Sequence, residues 1–186
     1  MKARRYFVQC ILFILVIFAM ISLWGCVGKN EFTNTYIVPN YFGSEDGLNE
    51  FVKTLKKEKT FSDVKVTGDH QFTAEATNKQ ATNFVEWNKN DFDKHVQNFK
   101  DITGDNVEYA DDYSYLIAYM ETSDGLDAYF SELSLAIFDV EMIQVFSGVS
   151  DWKIDLKIIR PSDNKVLLDV VYPNEKLEFG MELWNQ

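Results

Sequence analysis

Residues 152–172 read WKIDLKIIRPSDNKVLLDVVY, and this stretch decides the fold class. Apolar side chains fall on every second position between charged ones, at Trp152, Ile154, Leu156 and Ile158. That period is typical of a β-strand with one buried face and one wet face. PSDN at 161–164 is a turn sequence, and the apolar run at 166–172 returns from it. The stretch therefore predicts an antiparallel hairpin.

The strands are expected to continue on both sides of this hairpin. After a turn at Pro173-Asn174, apolar residues alternate again at Leu177, Phe179, Met181 and Leu183, which predicts an antiparallel meander. Upstream, residues 113–121 are rich in strand formers, and Ser123-Asp124-Gly125 is a good hairpin turn. We therefore expect 113–121 to pair with a strand at 126–134. Residues 135–146 are apolar without a clear period, so helix and strand stay open there.

The first half of the chain adds helices. Apolar residues at Leu48, Phe51, Val52 and Leu55 follow helical spacing, and Ser44 or Asp46 could cap that helix. Short strands are predicted at 35–38, 64–66, 72–76 and 84–87. A second helix is predicted to start at Asp91, with Phe92, His95, Val96 and Phe99 on one face, and to end at Gly104. The expected fold class is α+β: a curved antiparallel β-sheet, a meander in its C-terminal half, with one or two helices packed on one face.

The N-terminal segment predicts export. Lys2, Arg4 and Arg5 precede a stretch at 7–24 that has no charged residue. That stretch approaches the roughly 20 residues that cross a bilayer, and positive charge stays inside, so the rest of the chain is expected outside the membrane. We divide the chain into a signal peptide or membrane anchor at 1–26, a tether at 27–43 and a single extracytoplasmic α+β domain at 44–186.

Leu23-Trp24-Gly25-Cys26 resembles the lipobox of bacterial lipoproteins, although Trp24 departs from the usual small residue. The resemblance implies lipid attachment at Cys26 after cleavage. An uncleaved transmembrane anchor remains the alternative, and both place the domain on the outer face of the cell membrane.

Charge limits the classes of partner. The chain has 18 basic and 29 acidic residues, and three of the basic ones precede residue 26, which leaves the exported part about 14 units negative. Nucleic acid and anionic head groups repel such a surface, so we expect no nucleic-acid partner. A basic protein partner and simple solubility both fit this charge.

Catalytic motifs are missing from the sequence. His70 and His95 stand at no metal-ligand spacing, and the chain has neither a nucleophile elbow nor a phosphate-binding glycine loop. We therefore expect no enzymatic activity, no cofactor and no metal. Two close carboxylates in a cleft would favour a cell-wall enzyme instead.

Tyrosines interleave with acids near the middle of the chain, and tyrosine is favoured at interface hot spots. The residues predicted to bind a partner are Asp111, Asp112, Tyr113, Tyr115, Glu121 and Asp124. Tyr113, Tyr115, Ile117 and Tyr119 are expected to share one strand face, which faces either the core or the partner.

The basic start, the apolar anchor, the helix at 48–55 and the β-rich remainder together resemble the TipC family of immunity proteins. That family guards Gram-positive cells against exported LXG-type toxins. The resemblance implies a membrane-anchored immunity protein that neutralises a secreted toxin with a basic surface by occluding its active site. The alternative is an accessory lipoprotein subunit of a secretion, conjugation or transport assembly in the cell envelope.

Overall fold

The computed structural model describes residues 32–39, 44–122 and 126–178, and these contain seven strands and three helices. In chain order they are β1 (Thr33–Val38), α1 (Glu45–Glu58), β2 (Asp63–Gly68), β3 (Gln71–Thr77), α2 (Asn78–Thr103), β4 (Val107–Tyr109), β5 (Tyr115–Tyr119), α3 (Leu126–Phe146), β6 (Ile154–Arg160) and β7 (Lys165–Tyr172). An antiparallel N-terminal sheet has the order β1-β3-β2, and a mixed C-terminal sheet has the order β4-β5-β6-β7. The predicted α+β class is confirmed.

Helix α1 follows the predicted stripe. Gly47 N donates to Ser44 Oγ at 3.1 Å, so Ser44, one of the two predicted residues, is the N-cap. Leu48, Val52 and Leu55 are buried, as their spacing requires. The predicted strands at 35–38, 64–66 and 72–76 are also confirmed as β1, β2 and β3.

Helix α2 is longer than predicted. It begins with a capping box, in which Gln80 N donates to Thr77 Oγ1 at 3.2 Å and Thr77 N donates to Gln80 Oε1 at 2.9 Å. It ends at Gly104, whose φ of 72° is left-handed. The strand predicted at 84–87 is therefore wrong, and so is Asp91 as a cap, because both lie inside the helix. The buried positions are three and four apart, and include Phe84, Val85, Phe92, Val96 and Phe99.

Helix α3 occupies the predicted strand at 126–134, so that strand and its hairpin with 113–121 are wrong. The physical reason is burial: α3 is apolar on almost every side, which hides the helical period. Its buried side chains include Leu133, Ile137, Val140, Ile143 and Phe146. The turn predicted at 123–125 lies outside the described residues.

The C-terminal sheet combines both pairing directions. Strand β5 runs parallel to β6, with Leu116 opposite Leu156, and α3 is the crossover between them. The β6–β7 hairpin is antiparallel and its turn lies at 161–164, which confirms the stretch that decided the fold class. Leu177 lies in no strand, and the remainder of the predicted third strand, at 179–183, lies outside the described residues.

Phe146, at the end of α3, connects the helices with the N-terminal sheet. Its ring stacks on Tyr36 at 4.7 Å and on Phe61 at 5.0 Å, and meets Phe84 edge-on at 4.8 Å between ring centroids. Such aromatic pairs add specific geometry to apolar burial. In the part of the chain that the structure describes, none of the helices combines the length and apolar character needed to span a bilayer.

Candidate functional site

A tight turn between β4 and β5 holds three of the predicted partner-binding residues. Asp111, Asp112 and Tyr113 lie in this turn, and Tyr115 begins β5. Ser114 N donates to Asp112 Oδ1 at 3.0 Å, and hydrogen bonds from the Ser114 side chain and backbone lower the pKa of Asp112. Tyr113 has a left-handed φ of 61°. Asp112 therefore stabilises the turn, while the Asp111 carboxylate lies exposed beside the half-buried Tyr113 ring.

Tyr109 and Tyr113 form a stacked pair above a core phenylalanine. Their ring centroids are 6.3 Å apart with an interplanar angle of 12°. Both rings pack edge-on against Phe92, at 4.8 Å and 5.2 Å. Phe92 belongs to α2 and is fully buried. Because the pair rests on a core residue, the fold itself holds its rings in place, and preorganisation of this kind lowers the entropy cost of binding in general.

Carboxylates from two elements surround this tyrosine pair. Glu86 and Asp93 lie seven residues apart on one face of α2, and Asp111 comes from the turn. The Tyr109 hydroxyl donates to Asp93 Oδ1 at 3.4 Å. Burial, followed by the charge of Asp93, raises the pKa of Tyr109. The pKa of Tyr113 is raised too, by burial and by the charges of Asp93, Glu86 and Asp111. The phenols therefore stay protonated in a negative potential, and we call these five residues the acidic tyrosine surface.

Glu86 and Asp93 are site residues that the sequence analysis missed. Reading 84–87 as a strand and starting a helix at Asp91 put the two acids on different elements. The capping-box sequence TNKQ at 77–80 is the signal that places both on one helix.

Strand β5 turns its tyrosines away from the core. Leu116, Ala118 and Met120 are buried, whereas Tyr115 is 40% exposed and alternates onto the other face with Ile117 and Tyr119. The interpretation of that face as core-facing is therefore wrong for Tyr115, Ile117 and Tyr119. Tyr113 does not share the face, because it lies in the turn before the strand. The Tyr119 hydroxyl donates to Glu108 Oε1 at 3.2 Å. This open face also carries Asp155 and an ion pair between Lys157 and Asp169 at 3.1 Å.

The remaining predicted site residues lie elsewhere. Glu121 lies just after β5, at the opposite end of that strand from Asp111 and Asp112. Its Oε2 accepts a hydrogen bond from Ser162 N at 2.9 Å, which fixes the β6–β7 turn. Asp124 and the predicted lipidation residue Cys26 lie outside the described residues. The structure thus groups Asp111, Asp112, Tyr113 and Tyr115 at one end of β5 and separates Glu121 from them.

A second group of ionisable side chains lies between α2 and α3. His95 Nδ1 donates to Glu132 Oε2 at 2.8 Å, and Asn98 Nδ2 donates to the same oxygen at 3.2 Å. On the other side of the ring, His95 Nε2 faces Asp139 Oδ2 at 3.9 Å, beyond hydrogen-bond distance. Asp139 is only 4% exposed, and burial raises its pKa to about 8, helped by Asp91. The hydrogen bonds of His95 and Asn98 to Glu132 join the two helices, and within the described residues Asp139 Oδ2 lies buried beside them without a hydrogen-bond partner.

Acidic side chains and histidines can also bind metal ions when at least three of them lie close together. Within residues 32–39, 44–122 and 126–178, no three histidine, cysteine, aspartate or glutamate side chains are grouped so that they could hold a metal ion. His70 lies exposed in the β2–β3 turn with a left-handed φ of 53°.

Comparison with known proteins adds no family. No protein-family model matches this chain, and no curated protein and no solved structure is significantly similar to it. The acidic tyrosine surface is therefore interpreted from its own geometry and charge.

Proposed function

We propose that this chain is a membrane-anchored extracytoplasmic binding protein that neutralises an exported antibacterial toxin by occluding the toxin's active site. The acidic tyrosine surface carries this proposal. Its two stacked rings and three carboxylates form a preorganised contact patch, in which Lys89 pairs with Glu86 at 2.9 Å while Asp93 and Asp111 supply the negative charge. Tyrosine rings attract the cationic heads of lysine and arginine, and nearby carboxylates add charge-assisted hydrogen bonds.

The charge of the chain supports a basic partner. A formal net charge of −11 attracts a cationic protein over long range and speeds its capture. Rapid capture suits an inhibitor that must act before the toxin reaches its target. The basic start and the uncharged stretch at 7–24 would hold that inhibitor at the membrane surface.

The contact area extends around the edge strand β4. Neighbouring residues of a strand point to opposite faces, so Glu108 belongs to the open face of the C-terminal sheet and Tyr109 to the acidic tyrosine surface. A partner that grips this edge would contact carboxylates on both faces. On the open side, Tyr115 supplies a further exposed ring and Tyr119 a half-buried one.

The decisive experiment is binding to the secreted product of the neighbouring gene. We expect a complex at low salt whose association rate falls as salt rises. The double substitution Asp93→Asn with Asp111→Asn should weaken binding by about tenfold or more and flatten this salt dependence. Asp63→Asn with Asp69→Asn is the matched control, because it removes two exposed charges from the N-terminal sheet.

Cell survival supplies a second readout. Cells that express the toxin and the wild-type chain should grow, whereas the Asp93 and Asp111 double variant should protect them less than the control pair does. A chain that forms no complex with the toxin at low salt would contradict the proposal. Stable recovery with subunits of an envelope assembly would favour the accessory-lipoprotein alternative.

A further inference from the structure

The two edge strands of the N-terminal sheet differ in how well they are protected against pairing with a strand of another chain. Strand β2 carries the exposed charges Asp63 and Lys65, and its register with β3 shifts between Val66 and Gly68. Charges and bulges are the devices that keep an edge strand from pairing with another chain. Strand β1 reads TNTYIV, has no charge, and pairs with β3 without a register shift along its full length.

A groove runs beside the unprotected edge. It has a volume of about 430 Å³, and β1 forms one wall while Val145 and the turn after α3 form the other. Its lining is Asn34, Thr35, Tyr36, Ile37, Val145, Gly148, Val149 and Ser150. Ile37 is 54% exposed and Val149 is 43% exposed. None of these lining residues is charged, although charged residues make up 25% of the chain.

Within the described residues β1 is an edge strand beside a helix end, and such an edge accepts an added strand. Alternate residues of an edge strand direct their backbone N–H and C=O groups outward, where an extended segment can pair with them. Side chains of that segment would then fall alternately into the groove and away from it. Among the described strands, only β3 pairs with β1.

We propose that the groove beside β1 is a second docking site, which takes an extended, uncharged segment of another protein by strand addition. The uncharged lining sets the chemistry of the segment, because a buried charge would find no partner there. Like charge disfavours a second copy, since each chain has a net charge of −11. This site does not depend on the acidic tyrosine surface.

The test is peptide selection on the full chain held in detergent micelles. A phage-displayed library of random peptides is panned against the wild-type chain and counter-selected against Ile37→Lys, which puts a cation in the groove. We expect enriched peptides that lack net charge and alternate apolar residues. The synthesised peptide should slow deuterium exchange of those Thr33–Val38 amides that point away from β3 by about tenfold or more. Ile37→Lys should weaken binding of the peptide at least about tenfold.

Val66→Lys is the matched control, because Val66 is 39% exposed on the protected edge of the same sheet. It should leave the affinity for the peptide unchanged. Ile37 is more exposed than Val66, so denaturant unfolding should show that both variants remain folded. Selection of no peptide that distinguishes wild type from Ile37→Lys would overturn the proposal. A dimer that Ile37→Lys dissociates would overturn it too. So would slow exchange, in the free chain, of the β1 amides that point away from β3.

Discussion

Helix α2 has carboxylates near it in two contrasting environments. Asp93 lies exposed beside the tyrosine pair, whereas Asp139 lies buried between α2 and α3. The exposed carboxylate keeps its hydration, so its charge costs little in folding and contributes to the field around the protein. The buried one has lost its hydration, which raises its pKa to about 8 and makes its proton part of the fold. Burial therefore decides whether an aspartate here presents its charge to solvent or affects stability.

The largest expected effect comes from removing the core side chain that supports the tyrosine pair. Phe92 is fully buried in α2 and carries both tyrosine rings. Phe92→Ala should lower the free energy of unfolding by about 3–5 kcal/mol, because the cavity adds to the lost apolar burial. Urea denaturation measures this loss. Tyr109→Ala is the comparison variant, because Tyr109 is 37% exposed and should lose less. Equal losses in the two variants would show that Phe92 is not the support.

The second-largest expected effect is the pH dependence of stability that the buried carboxyl of Asp139 causes. Asp139 has a pKa raised from 3.8 to about 8, so between these values the folded chain holds a proton that the unfolded chain has released. The contribution of Asp139 to stability is therefore greatest below the lower value and falls as pH rises toward the higher one, by about 1.4 kcal/mol per pH unit at most. Asp91 and Lys94 act on this carboxyl with opposite signs, and His95 faces it. Asp139→Asn should flatten the decline and leave the variant more stable than wild type at about pH 8.

Asp93→Asn is the control for this prediction, because it makes the same chemical change on an exposed carboxylate of α2. Its unfolding free energy should follow that of the wild type across the pH range. Under the proposed function the two substitutions should also differ in binding. Asp93→Asn should weaken the capture of a basic partner, and Asp139→Asn should not. A wild-type chain whose stability does not fall from about pH 5 to about pH 8 would contradict the raised pKa of Asp139.

Local signals in the sequence predicted the elements that depend on local order. The helix at 48–55 and the hairpin at 152–172 have clean periods, because one face of each is wet. Helix α3 lacks such a face, and its crossover brings β5 beside β6 although more than 30 residues separate them. The acidic tyrosine surface was half predictable for the same reason. Asp111 and Tyr113 are near neighbours in the chain, whereas Asp93 reaches them only through the packing of α2.

The smallest expected effect concerns Asp112, which is exposed like Asp93 but holds a turn. Hydrogen bonds from Ser114 lower its pKa below 3.8, so the stability it adds is present above that pH and is lost as pH falls through its folded pKa. Asp112→Ala should slightly lower stability at neutral pH, speed exchange of the Ser114 amide and reduce the loss of stability in acid. Asp112→Asn keeps an oxygen acceptor without the charge. It should therefore keep the slow exchange of the Ser114 amide but lose the dependence of stability on acid pH. Urea denaturation at about pH 6 and about pH 3 separates the two contributions. If the wild type, Asp112→Ala and Asp112→Asn all lose the same stability in acid, the charge of Asp112 does not stabilise the turn. Asp112 would then resemble Asp93, an exposed carboxylate whose charge has little effect on stability.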